Sequence, residues 1–283
     1  MSETCYENRT DSVDKKLRLL QEAYQEGRLD LSMSILESIK DTVVFERQRQ
    51  ERSEEPVSGA EDFLEVRKLP PEWARWAQGW RYYKVVEVRE EAGLARIQEP
   101  VDIPVGFREA QVTDLRREVR VAHLEDGVLC EVVSQVYGEV SANGERTCRL
   151  VFMADVPAQD QACYLIFYGN TCAELPDYAT PLRVSGEGYG LDIENRHYIA
   201  RLSRQMGQLE RLTYRQSHGL ELFAGGEGHG EPPNIDWAHD YLASNRFQKF
   251  RITNWAACPN YEVLRGPLCV QVRRWGFPHS PAH

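Results

Sequence analysis

The stretch QVYGEVSANGERTCRLVFMADVPAQDQACYLIFYGN, residues 135–170, decides the fold. It contains three short runs rich in β-branched and aromatic residues, and the pair Asn143-Gly144 lies between the first two. Such a pair favours the two-residue turn of a β-hairpin, because both residues tolerate the positive φ that the turn requires. The stretch therefore predicts antiparallel strands that are joined by tight turns.

The same pattern extends to both sides of this stretch. Glu125-Asp126-Gly127 is a second hairpin-turn signal, and no helical pattern of 10–15 residues alternates with the strands, which argues against a parallel α/β sheet. Residues 81–180 are therefore predicted to form an antiparallel β-sandwich. The predicted strands here are YYKVVEV (82–88), EVRVAH (118–123), LCEVVSQVY (129–137), CRLVFM (148–153) and ACYLIFY (162–168).

A second β domain is predicted over residues 181–283. Alternation of apolar and polar residues is clearest in HYIARLS (197–203) and LCVQVRR (268–274). About six strands fit before residue 283, fewer than a large sandwich uses, so we expect the domain to be the beginning of a larger one. The other strands expected here are LDIEN (191–195), QLERLTY (208–214), GLELF (219–223) and FRITN (250–254).

Residues 1–50 are predicted to contain a helical hairpin. Gly27 fits the end of the first helix and Asp30 fits the N-cap of the second. Such a pair is too small to be stable alone, so it should pack on the rest of the protein or on another subunit. It is interpreted either as a docking or dimerisation element or as a simple extension. The predicted packing stripes are Val13, Leu17, Leu20 and Tyr24, and Leu31, Ile35, Ile39 and Val43.

Residues 51–80 combine a charged linker with a Trp-rich segment. Trp73, Trp76 and Trp80 would share one face of a short helix. Two interpretations remain open: a platform on which sugar rings stack, or a plug that covers one end of the sandwich.

Composition narrows the classes of function. A net charge of -10 argues against nucleic acid or an anionic membrane as the main partner. The first residues lack the pattern of a secretory signal, and no apolar run approaches the roughly 20 residues of a membrane span, so a cytoplasmic protein is expected. The cysteines form no C-x-x-C pair and are expected to be free, buried thiols: Cys5, Cys130, Cys148, Cys163, Cys172, Cys258 and Cys269.

Two segments resemble known carbohydrate-active proteins. The first resembles a β-sandwich in the non-catalytic part of α-mannosidase-type glycoside hydrolases, through Gln135, Phe152, Ala154, Val156, Pro157, Ala158 and Tyr164. The second resembles the opening of a galactose-mutarotase-like supersandwich, a fold shared with polysaccharide lyases, through Glu194, Asn195, Tyr198, Gly207, Leu209, Leu212, Gly219, Glu221 and Leu222. No mannosidase catalytic barrel precedes these segments, so the metal-binding machinery of that family does not carry over. The resemblance implies a protein that acts on or binds a glycan.

The richest candidate site lies between residues 229 and 265. Aromatic rings that stack and polar groups that orient a ligand are interleaved here, as in sites for saccharides. Residues 246–283 also carry six Lys or Arg against one Glu, which suits an acidic polysaccharide. The candidate substrate-binding residues are His229, Glu231, Asp236, Trp237, Asp240, Asn254, Trp255, Asn260 and Arg265, and the candidate catalytic residues are His239, Tyr241 and Tyr261.

Two reaction types and a non-catalytic role are compatible with these residues. In uronate β-elimination, Asn254 or Arg265 would neutralise the carboxylate while His239, Tyr241 or Tyr261 removes the C5 proton. Hydrolysis would instead pair Glu231 with Asp236 or Asp240. No cofactor is expected; a divalent metal held by the His and carboxylate residues of 229–240 is the alternative to a hydrogen-bonded loop. The remaining hypotheses are a carbohydrate-binding module or a protein-interaction module, with a homo-oligomer forming through the N-terminal helices.

Overall fold

A computed structural model describes residues 13–51, 55–125, 127–188, 190–204, 209–216, 218–221, 237–243, 246–251 and 260–275. For residues 45, 46, 48–51, 237–243 and 246–251 only the backbone is described. Strands make up 47% of the chain and helices 21%, so the predicted mainly β class is confirmed, with a helical hairpin at its start and antiparallel sheets that close into no barrel within the described residues.

The chain divides into two compact units. Residues 53–180 form the first, which we call the sandwich unit. Residues 1–52 and 181–283 together form the second, which we call the hairpin unit because it contains the helical hairpin. The hairpin thus belongs with the C-terminal strands, although the whole sandwich unit separates the two in sequence.

The sandwich unit consists of two antiparallel sheets. Five strands follow the order β1-β2-β8-β4-β5, and three follow the order β3-β7-β6. The short helices α3 (Pro71–Ala74) and α4 (Leu115–Glu118), which follow the two helices of the hairpin in the chain, connect strands. The strands are β1 (Leu64–Glu65), β2 (Tyr82–Arg89), β3 (Arg96–Arg108), β4 (Arg120–Glu125), β5 (Val128–Val132), β6 (Ser134–Ala142), β7 (Glu145–Val156) and β8 (Gln161–Tyr168).

Alternating side chains of both sheets fill the space between them. Phe107 from β3, Leu150 from β7 and Ile166 from β8 are completely buried in one shared apolar cluster. Because successive residues of a strand face opposite sides, these positions commit every second residue of each strand to the core. This packing confirms the predicted sandwich.

The predicted turns are present, but β1 and β3 are not among the predicted strands, and the run predicted over 129–137 is divided between β5 and β6. Asn143 and Gly144 have φ of 55° and 81° and join β6 to β7, where Ala142 pairs with Glu145. No strand was predicted for the segment that forms β3, which contains Pro100 and Pro104. β3 lies at the edge of its sheet, and a proline is tolerated there because one side of the strand needs no ladder hydrogen bond.

The Trp-rich segment covers the outer face of the five-stranded sheet. Trp73, Trp76 and Trp80 are half-buried against an apolar cluster that contains Leu165 and Phe167 of β8. The ring centroids of Trp76 and Phe167 are 4.8 Å apart. Only Trp73 lies in α3, so the predicted single helical face is wrong; the plug interpretation is the one that matches the packing, although the segment covers a face rather than an end.

The helical hairpin consists of α1 (Val13–Gln25) and α2 (Leu29–Glu51). Gly27 ends α1 as predicted: its φ is 70°, and the N–H of Arg28 donates to Ala23 O at 2.9 Å. Asp30 is not the N-cap of α2, because the helix already begins at Leu29; it instead lies in the first turn, where a carboxylate is favourable beside the helix dipole.

The packing stripes of the hairpin match the prediction only in part. Lys16, Ala23, Ser32 and Thr42 are the buried positions, and four residues of the predicted stripes are half-buried: Val13, Leu20, Ile35 and Ile39. The physical reason for the difference is a polar contact between the hairpin and a later strand, described below. Four predicted stripe residues are consequently exposed: Leu17, Tyr24, Leu31 and Val43.

The strands of the hairpin unit form three small sheets. One has five strands in the order β13-β12-β11-β10-β9, and two are two-stranded ribbons, β14-β15 and β16-β17. The strands are β9 (Arg183–Glu187), β10 (Gly190–Glu194), β11 (Tyr198–Leu202), β12 (Leu209–Tyr214), β13 (Leu220–Glu221), β14 (Trp237–Ala243), β15 (Arg246–Arg251), β16 (Asn260–Arg265) and β17 (Val270–Trp275).

The five described cysteines are all free thiols, as predicted, but they are not all buried. Cys148 is buried, Cys130 and Cys269 are half-buried, and Cys163 and Cys172 are exposed. Cys163 is exposed because it projects from β8 on the face opposite to the buried Tyr164. Within the described helices, none has the length and apolar content that a membrane crossing would need.

Candidate functional site

The predicted site residues fall into three groups. His229, Glu231, Asp236, Asn254 and Trp255 lie outside the described residues. Trp237, His239, Asp240 and Tyr241 belong to β14, whose backbone pairs with β15 so that His239 is opposite Lys249 and Tyr241 is opposite Phe247. By strand alternation, Asp240 occupies a position on the other face from its three companions. Asn260, Tyr261 and Arg265 belong to β16 and are described with their side chains.

Asn260 is committed to the helical hairpin. Its Oδ1 accepts hydrogen bonds from Lys16 Nζ at 2.5 Å and from Ser38 Oγ at 2.6 Å. Lys16 Nζ also donates to Thr42 Oγ1 at 2.9 Å, and Lys16 and Thr42 are both buried. This polar contact joins α1, α2 and β16 across more than 200 residues of sequence. Asn260 therefore stabilises the unit, and its amide faces the hairpin.

Tyr261 and Arg265 lie on the opposite face of the same ribbon. β16 pairs with β17 so that Tyr261 is directly opposite Arg274, Val263 is opposite Val272, and Arg265 is opposite Val270. Because these cross-strand pairs share one face, Tyr261, Arg265 and Arg274 lie on one side of the ribbon. We call this side, defined by those three residues, the basic face.

The turn between β9 and β10 borders the basic face. Arg265 Nη2 donates to Gly186 O at 3.1 Å, which fixes one edge of its guanidinium. Tyr261 Oη approaches Gly188, where an added Cβ would lie 3.8 Å away. Tyr261, Arg265 and Arg274 are all half-buried, so each keeps part of its side chain accessible.

Arg273 belongs to the other face. It is opposite Glu262 in the ribbon, and its Nη1 lies 3.3 Å from Glu262 Oε2. Glu262 is 7% exposed, so its carboxylate is largely removed from water, whereas 27% of the Arg273 side chain is exposed. The two adjacent arginines of β17 therefore have different roles: Arg273 balances a buried carboxylate, whereas Arg274 projects beside a tyrosine.

Sequence reasoning named Tyr261 and Arg265 but did not include Arg274 as a site residue. The alternation in Val270-Gln271-Val272-Arg273-Arg274 could have indicated Arg274, because it places this residue on the same strand face as the two valines. The register across the turn at 266–269 was needed to show that this side of β17 is also the side of Tyr261. Single-strand patterns do not contain that register.

A second concave region, which the sequence did not indicate, lies at one end of the sandwich unit. A cavity of about 410 Å³ and another of about 530 Å³ both have Arg96 and Val156 in their walls. The smaller combines two arginines with three glutamates, so it has no single sign of charge. The larger contains His123, whose Nδ1 lies 3.1 Å from Cys163 O, together with mainly apolar neighbours.

The carboxylate of Glu90 in the smaller cavity is hydrogen-bonded by nearby backbone N–H groups. Its carboxylate accepts N–H groups from Ala92, Gly93, Leu94 and Gln159 at 2.9–3.1 Å, and Arg96 lies 3.5 Å away. The N–H of Gln159 contributes most to a lowered pKa of Glu90, followed by the other backbone donors, while burial opposes them. A carboxylate held ionised by four donors organises its loop and is poorly suited to act as an acid or base.

Within the described residues, no group of three or more His, Cys, Asp or Glu side chains is arranged to hold a metal ion. The predicted ligands His229, Glu231 and Asp236 lie outside that part of the chain. No family model matches the sequence, and no curated protein is significantly similar to it.

Proposed function

We propose that this chain binds an acidic polysaccharide, and that the basic face of the β16–β17 ribbon is part of the binding surface. The observation that carries the proposal is the direct pairing of Tyr261 with Arg274, with Arg265 on the same side. An aromatic ring beside two guanidiniums offers a stacking surface for a sugar ring and paired donors for its carboxylate. We further propose that the chain is related to galactose-mutarotase-like proteins and that this relationship underlies its role.

The spacing of the three side chains suits a repeating acidic chain. Arg265 lies four residues from Tyr261 along β16, which corresponds to roughly 13 Å of strand. A linear uronate polymer presents carboxylates at regular intervals, and because Val263 between these positions is 2% exposed, one chain would meet the two guanidiniums at the two ends of the face. The hydrogen bond from Arg265 to Gly186 O reduces the conformational freedom that a ligand would otherwise have to restrict.

Because the protein as a whole is negatively charged, an acidic polysaccharide can be attracted only by a locally basic surface. The protein carries a net charge of -10, which disfavours general attraction of polyanions. Arg273 lies beside Glu262 on the opposite face of the ribbon, so the basic face depends on Arg265 and Arg274. Binding should therefore depend on the carboxylate pattern of the ligand and should weaken with salt.

The binding proposal extends to catalysis if the chain also cleaves the bound polysaccharide. In a lyase, Arg265 or Arg274 would neutralise the carboxylate of the uronate that is cleaved, and Tyr261, His239 or Tyr241 would accept its C5 proton. In a hydrolase, Glu231 with Asp236 or Asp240 would serve as the carboxylate pair. Asn260 has no part in either version, because its amide is bound to the hairpin.

Three immobilised polymers test the proposal. Polygalacturonate should retain the protein, whereas a neutral glucan of similar length and polyglutamate should not, because one lacks carboxylates and the other lacks sugar rings. Tyr261→Ala should abolish retention. Equal retention by polyglutamate and polygalacturonate would show that only charge is recognised, and the saccharide proposal would then fail.

The same samples distinguish binding from turnover. A lyase product is an unsaturated uronate with new ultraviolet absorbance, and a hydrolase product is a new reducing end. Absorbance that is lost in Tyr261→Phe or His239→Ala would establish elimination. Retention with neither product would establish the non-catalytic carbohydrate-binding module.

A protein-interaction module is the second candidate. The observation that favours it is the number of large apolar side chains that α2 exposes, among them Leu29, Met33 and Leu36. A helix that contributes to folding alone would not be expected to leave such a stripe in water.

A further inference from the structure

The exposed apolar residues of α2 follow a heptad pattern. Leu29, Met33, Leu36 and Val43 are 48–61% exposed. They are spaced by four, three and seven residues, and Lys40 and Arg47 occupy the intervening and following positions of the same series. A 4-3-4-3-4 spacing keeps residues on one side of a helix that pairs with another helix. We call the set 29, 33, 36, 40, 43 and 47 the α2 stripe.

Among the described residues of the hairpin unit, the packed interior does not include this stripe. α2 packs on α1 and on the β16–β17 ribbon through another side that includes Ser32, Ser38 and Thr42. Ser38 and Thr42 take part in the hydrogen bonds around Asn260 and Lys16, so the orientation of α2 about its axis is fixed. A fixed helix that exposes a regular apolar series has a surface suited to a partner helix.

Charge complementarity identifies the partner as a second copy of α2 in antiparallel orientation. When the two helices are aligned so that Leu36 of one meets Lys40 of the other, Lys40 also lies beside Glu37 of the opposite copy. The same alignment brings Arg47 beside Asp30 of the opposite copy, because 37 and 40 have the same sum as 30 and 47. One register thus places both basic residues of the stripe against carboxylates, and all four residues are exposed.

Length supports a modest but specific interface. The stripe runs over 19 residues, or roughly 28 Å of helix, which is enough for about two and a half heptads. An interface of this size is at the low end of stable ones, so micromolar association is expected. Residues 1–12, MSETCYENRTDS, contain few apolar side chains and are chemically unsuited to cover the stripe instead.

We propose that the chain forms a homodimer through antiparallel pairing of the α2 stripe, with reciprocal contacts of Lys40 with Glu37 and of Arg47 with Asp30. The pairing is symmetric, so each copy supplies the same residues to the interface. It is independent of the glycan-binding proposal, because the basic face lies on the ribbon and not on the α2 stripe.

The test uses the full chain and its mass in solution. One chain has a mass of 32.6 kDa, so a dimer has twice that value. Light scattering across roughly 1–100 µM should show conversion to the dimer, because micromolar association falls in this range. Met33→Glu with Val43→Glu should raise the dissociation constant at least about 100-fold, since these two residues face each other in this register and like charges then replace both apolar side chains. Leu94→Glu is the matched control in the sandwich unit and should leave the dimer intact.

Charge exchange tests the register. Lys40→Glu alone and Glu37→Lys alone should each weaken the dimer about tenfold, because like charges then meet. An equimolar mixture of the two variants should form a heterodimer of nearly original affinity, since both opposite-charge contacts are restored. Circular dichroism checks that each variant keeps its helices. A wild-type protein that stays monomeric, a dimer that survives the double Glu variant, or a mixture without recovery would overturn the proposal.

Discussion

The burial of Lys84 predicts an unusual dependence of protein stability on pH. It lies in β2 and is 1% exposed, with Nζ donating to Gly59 O at 2.6 Å and to Asp62 O at 2.8 Å. The ammonium also lies 5.5 Å from the ring centroid of Phe107 and 5.8 Å from that of Tyr168. Burial lowers the pKa of Lys84 from 10.5 to about 8, although Asp62 and Glu61 partly oppose the change.

The direction of this pH dependence follows from the number of protons that the folded and unfolded states bind. Between pH 8 and 10.5 the folded protein releases the proton of Lys84 while the unfolded chain keeps it, so this group makes the free energy of unfolding rise with pH. The lowered pKa corresponds to at most about 3 kcal/mol. We expect about 2 kcal/mol, because the two carbonyl acceptors and the aromatic rings compensate part of the burial.

Lys84→Met isolates this contribution, because every other titrating group is present in both proteins. Urea unfolding at several pH values gives the free energy of unfolding of each. The wild type should gain about 2 kcal/mol relative to Lys84→Met between pH 7.5 and 10.5. A constant difference across that range would show that Lys84 titrates normally, and the reasoning about its burial would then be refuted.

Three further predictions concern stability. Asn260→Ala should lower the free energy of unfolding in urea by about 2–3 kcal/mol, because buried Lys16 loses a charged hydrogen bond. Asn260→Asp keeps an oxygen acceptor and should retain most of the wild-type stability. An equal loss of stability in both variants would contradict the polar contact. Trp76→Ala should cost about 2–3 kcal/mol through lost packing on Phe167 and leave polygalacturonate retention unchanged, so a retention loss would revive the sugar-platform interpretation. The lowered pKa of Glu90 means that the stability it contributes is lost as the pH falls below 4.5. The difference in free energy of unfolding between the wild type and Glu90→Gln should therefore shrink in this pH range. A difference that stays constant with pH would argue that the ionised carboxylate does not organise its loop.

Local chemistry made much of the fold predictable. Asn143-Gly144 requires a turn of one kind, and the strands on both sides alternate in polarity, so the β6–β7 hairpin follows from nearby residues alone. Gly27 likewise ends α1 for a local reason, since few residues tolerate its φ of 70°. The helical hairpin and the sandwich were therefore accessible from sequence.

Long-range contacts explain what the sequence did not predict. The polar contact of α2 with Asn260 joins residues more than 200 positions apart, so apolar periodicity, which correctly places Ile35 and Ile39 on the inner side, cannot show it. β3 escaped prediction because edge position, which permits its prolines, is a property of the whole sheet. The division of Arg273 and Arg274 between opposite faces also depends on pairing with β16.

The most direct measurement compares the affinity of two adjacent arginine variants for polygalacturonate oligomers by calorimetry. Arg274→Gln removes a guanidinium from the basic face, so the dissociation constant should rise about tenfold. Arg273→Gln makes the same change in charge on the opposite face and should alter it by less than about twofold. Equal weakening by both variants, or none by Arg274→Gln, would contradict binding through the basic face.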